Sequence, residues 1–209
     1  MNPIGSYYRL EGELREAQDS LGLDASITFG ILFADARQPE AKAHIINYMN
    51  SFDRKSGEYF DFFIPGYVEY GTGEPAFTLK RTGQKFHFDD ELFDEFCEWS
   101  EKNFGIEYTY NPMLILISVK GGKIGESKKV VIELDNLSGY GVKRSGIFFG
   151  EIFKIARFDN ALDGISHNLE KLYVKGNIID SIVAALGQDW LVELKRTKDE
   201  IRKFKIKSE

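Results

Sequence analysis

The stretch that decides the fold is residues 26–34, Ser-Ile-Thr-Phe-Gly-Ile-Leu-Phe-Ala, an almost unbroken apolar run with β-branched and aromatic residues. Such a run is typical of a strand that is covered on both faces. Pro39 suits the first turn of a helix, and Glu58 to Ile64 has the composition of a second buried strand. A strand, a crossover helix and a strand over about 40 residues predict a βαβ unit. The inner face of the crossover helix is predicted at Ile45, Tyr48, Met49 and Phe52.

The residues on either side of this unit extend the pattern. Apolar residues at helical spacing predict an amphipathic helix over 6–21, with Ser6 as its N-cap. Residues 65–75 are rich in glycine and tyrosine, which indicates a loop. The segments 77–80 and 85–88 flank Arg-Thr-Gly-Gln, which predicts a short hairpin.

A strong helix is predicted to begin after Asp89, which is a typical N-cap, and to end at Gly105. Met113–Lys120 and Lys129–Leu134 then predict an antiparallel pair of strands, and after Gly146 the periodicity is helical. The inner stripe of the Asp89 helix is predicted at Leu92, Phe93, Phe96, Trp99 and Ser100, with acidic residues on its outer face.

Together these elements predict an α/β fold. A central mixed β-sheet of about four main strands is flanked by helices, and an all-helical extension follows it. The predicted boundaries place an N-terminal helix packed on the domain at 1–25, the α/β domain at 26–145 and the helical extension at 146–209.

Composition narrows the functional classes. The chain has 209 residues, of which 43% are hydrophobic and 29% charged, so it is neither disordered nor collagen-like. Its formal net charge of −6 opposes general attraction to nucleic acid or anionic lipid. The longest apolar run, near Met113 to Val119, is far shorter than the roughly 20 residues that cross a bilayer. We therefore expect neither a nucleic-acid partner nor a membrane span.

The single cysteine, Cys97, excludes an intrachain disulfide, zinc fingers and iron–sulfur clusters. It fits a reducing compartment, and the first residues lack the pattern of a signal peptide, so we expect a cytoplasmic location. The three histidines, His44, His87 and His167, belong to no metal-binding or nucleophile motif. No metal or cofactor is expected.

From 26 to 158 the order of elements is strand, helix, strand, helix, strand, strand, helix, which resembles the thioredoxin-like fold. Phe33-Ala34-Asp35 ends a strand and leads into a helix, where a thioredoxin places its active site. Pro112 immediately precedes a buried strand, where thioredoxins carry a cis-proline. The positions of the Cys-x-x-Cys dithiol are occupied by Ala36-Arg37-Gln38-Pro39, so the resemblance implies the fold without dithiol exchange.

Asp35 and Arg37 are the most favourably placed charged residues, because ligands of open α/β sheets bind beyond the carboxyl ends of the strands. Arg37, beside a helix start, would hold a phosphate or carboxylate. In the alternative interpretation, Asp35 caps the helix and Arg37 is a surface residue. Tyr67 and Tyr70 follow the second strand and would open on the same edge, where they would stack on a ring, anchor a protein partner, or merely cover the core.

Two charged segments complete the candidates. The acidic helix 89–104 and the basic segment 195–209 would pair within one molecule or between two, or would each be solvated. The glycine- and lysine-rich segment 121–129 lacks the phosphate-loop pattern and joins two strands, so it is predicted to be a basic turn.

Two functions remain open. The first is a non-catalytic, redox-inactive binding or sensing module that mediates protein–protein interaction or oligomerisation, with an exposed apolar patch on the helices after Gly146. The second is a cytosolic enzyme that acts on a small anionic molecule, such as a nucleotide-like one, at the strand edge. The enzyme requires a concave pocket in which Asp35, Arg37 and Tyr67 converge.

Overall fold

The computed structural model of the protein describes residues 1–21, 26–56, 61–120, 128–133, 149–150, 152–155 and 165. The elements in chain order are β1 (Asn2–Ile4), α1 (Tyr7–Leu21), β2 (Ser26–Phe33), α2 (Pro39–His44), a 3₁₀ turn (Ile46–Tyr48), α3 (Met49–Ser56), β3 (Asp61–Pro65), β4 (Tyr67–Val68), β5 (Phe77–Thr78), β6 (Lys85–Phe88), α4 (Asp90–Phe104), β7 (Met113–Lys120) and β8 (Lys128–Glu133).

The apolar run at 26–33 forms the central strand of the main sheet, whose order is β1-β3-β2-β7-β8. β2 pairs parallel with β3 and antiparallel with β7, and β7 pairs antiparallel with β8. The predicted βαβ unit, the β7–β8 hairpin and the mixed α/β sheet flanked by helices are therefore confirmed. The sheet has one strand more than expected, because β1 pairs parallel with β3 at the edge.

Both faces of the sheet are buried, as the continuous apolar runs predict. Phe29, Ile31 and Phe33 of β2 pack in one core cluster with residues of α1 and α4. Leu32 and Ala34 lie in a second cluster with residues of the crossover segment and the small hairpin. Since successive side chains of a strand point to opposite faces, the two clusters form two layers on either side of the sheet.

The crossover between β2 and β3 is not one continuous helix. At Ile45 the backbone departs from helical angles, with φ −115° and ψ −62°, and a 3₁₀ turn joins α2 to α3. Ile45, Met49 and Phe52 are buried as predicted, whereas Tyr48 is 51% exposed. The prediction of an inward Tyr48 is wrong because this change of phase turns Ile46 inward instead.

The predicted helix caps are present. The Asp89 carboxylate accepts a hydrogen bond from the Leu92 N–H at 3.0 Å, and Gly105 ends α4 in the left-handed region at φ 63°. The Ser6 hydroxyl accepts from the Arg9 N–H at 3.4 Å at the start of α1. Side-chain oxygens at helix starts and glycine at helix ends satisfy backbone groups that the helix leaves unpaired.

Residues 65–75 are only partly a loop. Tyr67–Val68 forms β4, which pairs with β6, and β6 pairs with β5 as the predicted hairpin, so the small sheet has the order β4-β6-β5. Gly66 makes the preceding turn at φ +78°, where a Cβ atom would lie 2.6 Å from Phe93 Cβ. Only glycine fits this contact without displacement.

Several predictions fall outside the described residues. They concern 57–60 of the predicted second strand, the turn at 121–127, the loop at 135–145 and most of the helical extension, including 195–209. Residues 149–150, 152–155 and 165 are helical, and Phe149, Ile152 and Ile165 are buried in the core. The rest of the region predicted to carry an exposed apolar patch lies outside the described residues. None of the described helices is long and apolar enough to cross a membrane.

Candidate functional site

The carboxyl ends of the parallel strands β2 and β3 bring two of the predicted site segments together. Asp35 follows β2, and Tyr67 lies just beyond β3. The Tyr67 hydroxyl donates a hydrogen bond to the Ala34 carbonyl oxygen at 2.6 Å. The expectation that these segments share one edge of the sheet is confirmed.

Arg37 joins two carboxylates at this edge. Its Nε donates to Asp35 Oδ1 at 2.9 Å and to Oδ2 at 3.0 Å. Its Nη2 donates to Asp94 Oδ1 at 2.7 Å. These hydrogen bonds, first to Asp94 and then to Asp35, raise the pKa of Arg37. We call Asp35, Arg37 and Asp94 the polar edge.

The environment of the polar edge is largely apolar. The Asp35 side chain is 1% exposed and that of Arg37 is 40% exposed. The guanidinium lies 5.8 Å from the ring centroids of both Phe88 and Phe93, within the range of a cation–π interaction. The buried carboxylate of Asp35 is thus paired, as a buried charge must be.

Asp35 does not cap the crossover helix, whose N-cap residue is Gln38. The Asp35 carboxylate instead accepts from the Arg37 N–H at 2.8 Å, two residues along the chain, which is the pattern of an Asx turn. Arg37 therefore neither lies free on the surface nor presents an unoccupied guanidinium to an anion. Its role in anion binding stays a prediction. An incoming anion would have to compete with the two carboxylates for the guanidinium.

The two predicted tyrosines have different surroundings. Tyr67 is fully buried, and burial, followed by the charge of Asp35, raises its pKa well above the ordinary value. Tyr70 is 92% exposed. The structure brings Asp35, Arg37 and Tyr67 to one edge and leaves Tyr70 in solvent.

Three residues at or beside the polar edge were not predicted there. Asp94 and Cys97 belong to α4, and Tyr108 belongs to the segment after it. Burial, then the charges of Asp94 and Asp35, raises the pKa of the Cys97 thiol to about 12. Burial, then the charge of Asp35, raises the pKa of Tyr108 as well. No local sequence signal marks these residues, because Asp94 is 57 positions from Arg37.

A first open cleft lies between α1 and α4, with a volume of about 420 Å³. The Tyr7 ring stacks on Trp99 at 5.9 Å, and the Trp99 indole N–H donates to Glu11 at 3.2 Å. Tyr8 is 70% exposed. We call this the aromatic–acidic cleft; its walls are Tyr7, Tyr8, Glu11, Glu95, Glu98, Trp99, Lys102 and Asn103.

A second open cleft, of about 720 Å³, lies between the α3 region and the turn that joins β5 to β6. Among the described residues that line it, three charged side chains are cationic and one is anionic, and Tyr48 is the one aromatic residue. We call it the cationic cleft; it is lined by Met1, Asn47, Tyr48, Asn50, Ser51, Asp53, Arg54, Lys80 and Arg81.

Neither cleft contains a residue of the polar edge. In the described part of the chain, no three His, Cys, Asp or Glu side chains are grouped so as to hold a metal ion. The peptide bond before Pro112 is trans, as are the other described peptide bonds, unlike the cis bond that the thioredoxin resemblance implies. Comparison with protein-family models, with curated proteins and with solved structures finds no match to the chain.

Proposed function

We propose that the protein is a non-catalytic, redox-inactive binding module that recognises a lysine- or arginine-rich segment of a partner protein. The observation that carries this proposal is the aromatic–acidic cleft, which offers exposed aromatic surface and three glutamates to a cation. A cation over an aromatic ring gains about 0.5–1 kcal/mol at an exposed site, and neighbouring carboxylates add charge-assisted hydrogen bonds.

The glutamates of this cleft are not equally occupied. Glu11 accepts from the Trp99 indole and lies 3.8 Å from Arg15. Glu95 and Glu98 form no ion pair with the described residues. They are therefore the groups that can accept an incoming ammonium or guanidinium. The cleft has a net negative charge, because Lys102 is its one cationic residue among the described lining against three glutamates.

The alternative, an enzyme acting on a small anion at the sheet edge, has less support. None of its three nominated residues lines either of the two open clefts, Tyr67 is buried, and Arg37 is engaged by two carboxylates. The thiol nearest this edge has its pKa raised to about 12, so it is almost entirely protonated and weakly nucleophilic near neutral pH. These features favour a module without redox chemistry.

The thioredoxin-like resemblance is part of this proposal rather than separate from it. The parallel β2–β3 pair and the antiparallel β7–β8 hairpin support the resemblance, because they follow one another along the chain in the order on which the resemblance was based. Binding rather than exchange is then the expected use of such a fold without its dithiol, since function depends on the site and not on the fold.

The proposal is tested by titrating the full chain with an acetylated, amidated hexapeptide of alternating lysine and arginine, using calorimetry at low salt. We expect binding that a glutamine hexapeptide does not reproduce. The double variant Glu95→Gln/Glu98→Gln and the variant Tyr8→Ala should each weaken it about threefold to tenfold. The matched control is Glu101→Gln, an exposed α4 acid outside the cleft, which should bind like the wild type. Equal binding by the cleft variants would refute the proposal.

A second probe addresses self-association. A peptide of residues 195–209 carries basic side chains from the chain itself, and it should compete with the hexapeptide if the partner is another copy of this chain. Light scattering would then report a dimer that Glu95→Gln/Glu98→Gln dissociates. A monomer at all concentrations would assign the cleft to a different protein.

A further inference from the structure

Two hydrogen bonds of the Asn50 side chain join α3 to the segment that begins the β5–β6 turn, on two sides of the cationic cleft. Asn50 Nδ2 donates to the Thr78 carbonyl at 2.8 Å, and Asn50 Oδ1 accepts from the Lys80 N–H at 2.7 Å. The turn itself closes by a hydrogen bond from the Gly83 N–H to the Leu79 carbonyl at 2.8 Å. The backbone that bears Lys80 and Arg81 is thereby fixed against the helix before any ligand arrives, which lowers the entropic cost of binding.

The charge of this cleft is opposite to that of the whole chain. Arg81 Nε lies 3.4 Å from the nearly buried carboxylate of Asp53, which orients it. Arg54 and Lys80 make no ion pair with described residues. Counting side chains, three cations against one anion leave +2 in the cleft of a protein whose net charge is −6. Concentrated positive charge in a concave site attracts anions.

Tyr48 adds an aromatic surface beside these cations. The change of phase at Ile45 turns its ring outward, where it is 51% exposed. Asn47 and Ser51 contribute polar groups to the same wall. The volume of about 720 Å³ lies within the range of sites for small ligands, roughly 300–1,000 Å³.

We propose that the cationic cleft binds a mononucleotide-class ligand, with its phosphate on Arg54, Lys80 and Arg81 and its base stacked on Tyr48. Exposed cations hold a phosphate by charge-assisted hydrogen bonds, and every base has a face that an aromatic ring can stack on. This site is separate from the polar edge and shares no residue with the aromatic–acidic cleft. It does not depend on the partner-binding function proposed above.

The test is calorimetric titration of the full chain at low salt with adenosine 5′-monophosphate, adenosine and inorganic phosphate. The nucleotide should bind about tenfold or more tightly than either fragment, because one molecule makes both contacts. Binding should weaken with salt, as expected for exposed ion pairs. No nucleotide binding at concentrations up to about 10 mM, or equal binding by adenosine, would overturn the proposal.

Matched variants assign the two parts of the ligand. Arg54→Ala/Lys80→Ala should weaken nucleotide binding about tenfold. Tyr48→Ala should weaken nucleotide binding about fivefold or more and leave phosphate binding unchanged, whereas Tyr48→Phe should retain both. Lys85→Ala removes an exposed cation of β6 outside the cleft and should change nothing. Equal effects of Lys85→Ala and Arg54→Ala/Lys80→Ala, or binding of an oligonucleotide without binding of the mononucleotide, would overturn the assignment.

Discussion

The polar edge and the cationic cleft both contain several charged side chains, but they differ in whether the cations have carboxylate partners. At the polar edge the Arg37 guanidinium is divided between two carboxylates, whereas in the cationic cleft Arg54 and Lys80 have no carboxylate within 4 Å in the described part of the chain. The first arrangement is complete within the protein, and the second has capacity for a ligand. A favourable position at the carboxyl ends of parallel strands therefore does not by itself leave a charged side chain without a partner.

Burial explains the difference. Asp35 is almost inaccessible to water, so its charge must be compensated by the protein. Of the cations in the cleft, Arg54 and Lys80 are exposed and need no internal partner, whereas Arg81 pairs with the nearly buried Asp53. Substitutions at the polar edge should consequently change the free energy of unfolding, and substitutions in the cleft should change binding instead.

The largest effect is expected at Gly66, in the turn that packs on Phe93 beside the polar edge. Gly66→Ala should lower the free energy of unfolding by about 3 kcal/mol or more, from the left-handed backbone and the contact with Phe93 together. Urea denaturation measures it. Gly73→Ala is the matched control, because φ is +89° there and no atom lies within 4 Å of the added Cβ. Equal losses in both variants would show that Phe93 does not restrict the turn.

The next largest loss of stability is expected when Arg37, the cation shared by Asp35 and Asp94, is replaced. Arg37→Met should lower the free energy of unfolding by about 2–3 kcal/mol, less than for a fully buried pair because Arg37 is partly exposed. Arg37→Met/Asp35→Asn should recover part of this loss by removing the unpaired charge. Arg9→Met, which breaks the exposed pair with Glu13, should cost about 0–1 kcal/mol. A loss no larger at Arg37 than at Arg9 would contradict the account of the polar edge.

The buried hydroxyl of Tyr67 gives a smaller effect. Tyr67→Phe leaves the Ala34 carbonyl without this donor and should cost about 1–2 kcal/mol of the free energy of unfolding. Tyr70→Phe changes an exposed ring and should cost nothing measurable. If both variants unfold at the same urea concentration, the hydrogen bond to Ala34 makes no net contribution.

The Cys97 thiol makes alkaline stability a further test. Its pKa is about 12 in the folded chain against an ordinary value near 9.0. Below pH 9 the thiol is protonated in both the folded and the unfolded chain, so it does not make the free energy of unfolding depend on pH. Between pH 9 and 12 only the unfolded chain loses the proton, so the free energy of unfolding falls as pH rises. Cys97→Ala should flatten this decline. Iodoacetamide should modify the folded wild type at pH 8 at about one hundredth of the rate in urea or less; similar rates would show an accessible thiolate.

The smallest stability effects belong to the cationic cleft. Arg54→Ala and Lys80→Ala should each change the free energy of unfolding by less than about 0.5 kcal/mol. Thermal unfolding at low salt measures this, with Arg37→Met as the contrasting variant. Losses comparable to that of Arg37→Met would mean that the cleft cations are structural, and the distinction between the two regions would disappear.

Local chemistry accounts for the parts of the fold that were predicted correctly. The apolar runs of β2 and β7, the Asp89 cap and Gly105 at the end of α4 depend on neighbouring residues and backbone angles, which the amino-acid order specifies directly. The inward Tyr48 was predicted wrongly because helical periodicity assumes an unbroken helix, and the backbone changes phase at Ile45. The edge strand β1 was missed because three residues containing a proline carry no clear periodicity.

The candidate site also has features that the sequence specified and features that only the tertiary structure gave. The sequence by itself determined that Asp35 and Arg37 stand at the end of a buried strand and that Tyr67 follows its parallel neighbour. Only the tertiary structure decided that Asp94 closes the polar edge, that Tyr67 is buried, and that Tyr48 lines the same cleft as the cations of the β5–β6 turn. Those contacts join residues far apart in the chain, and they arise only when helices dock on the sheet and buried charges must find partners.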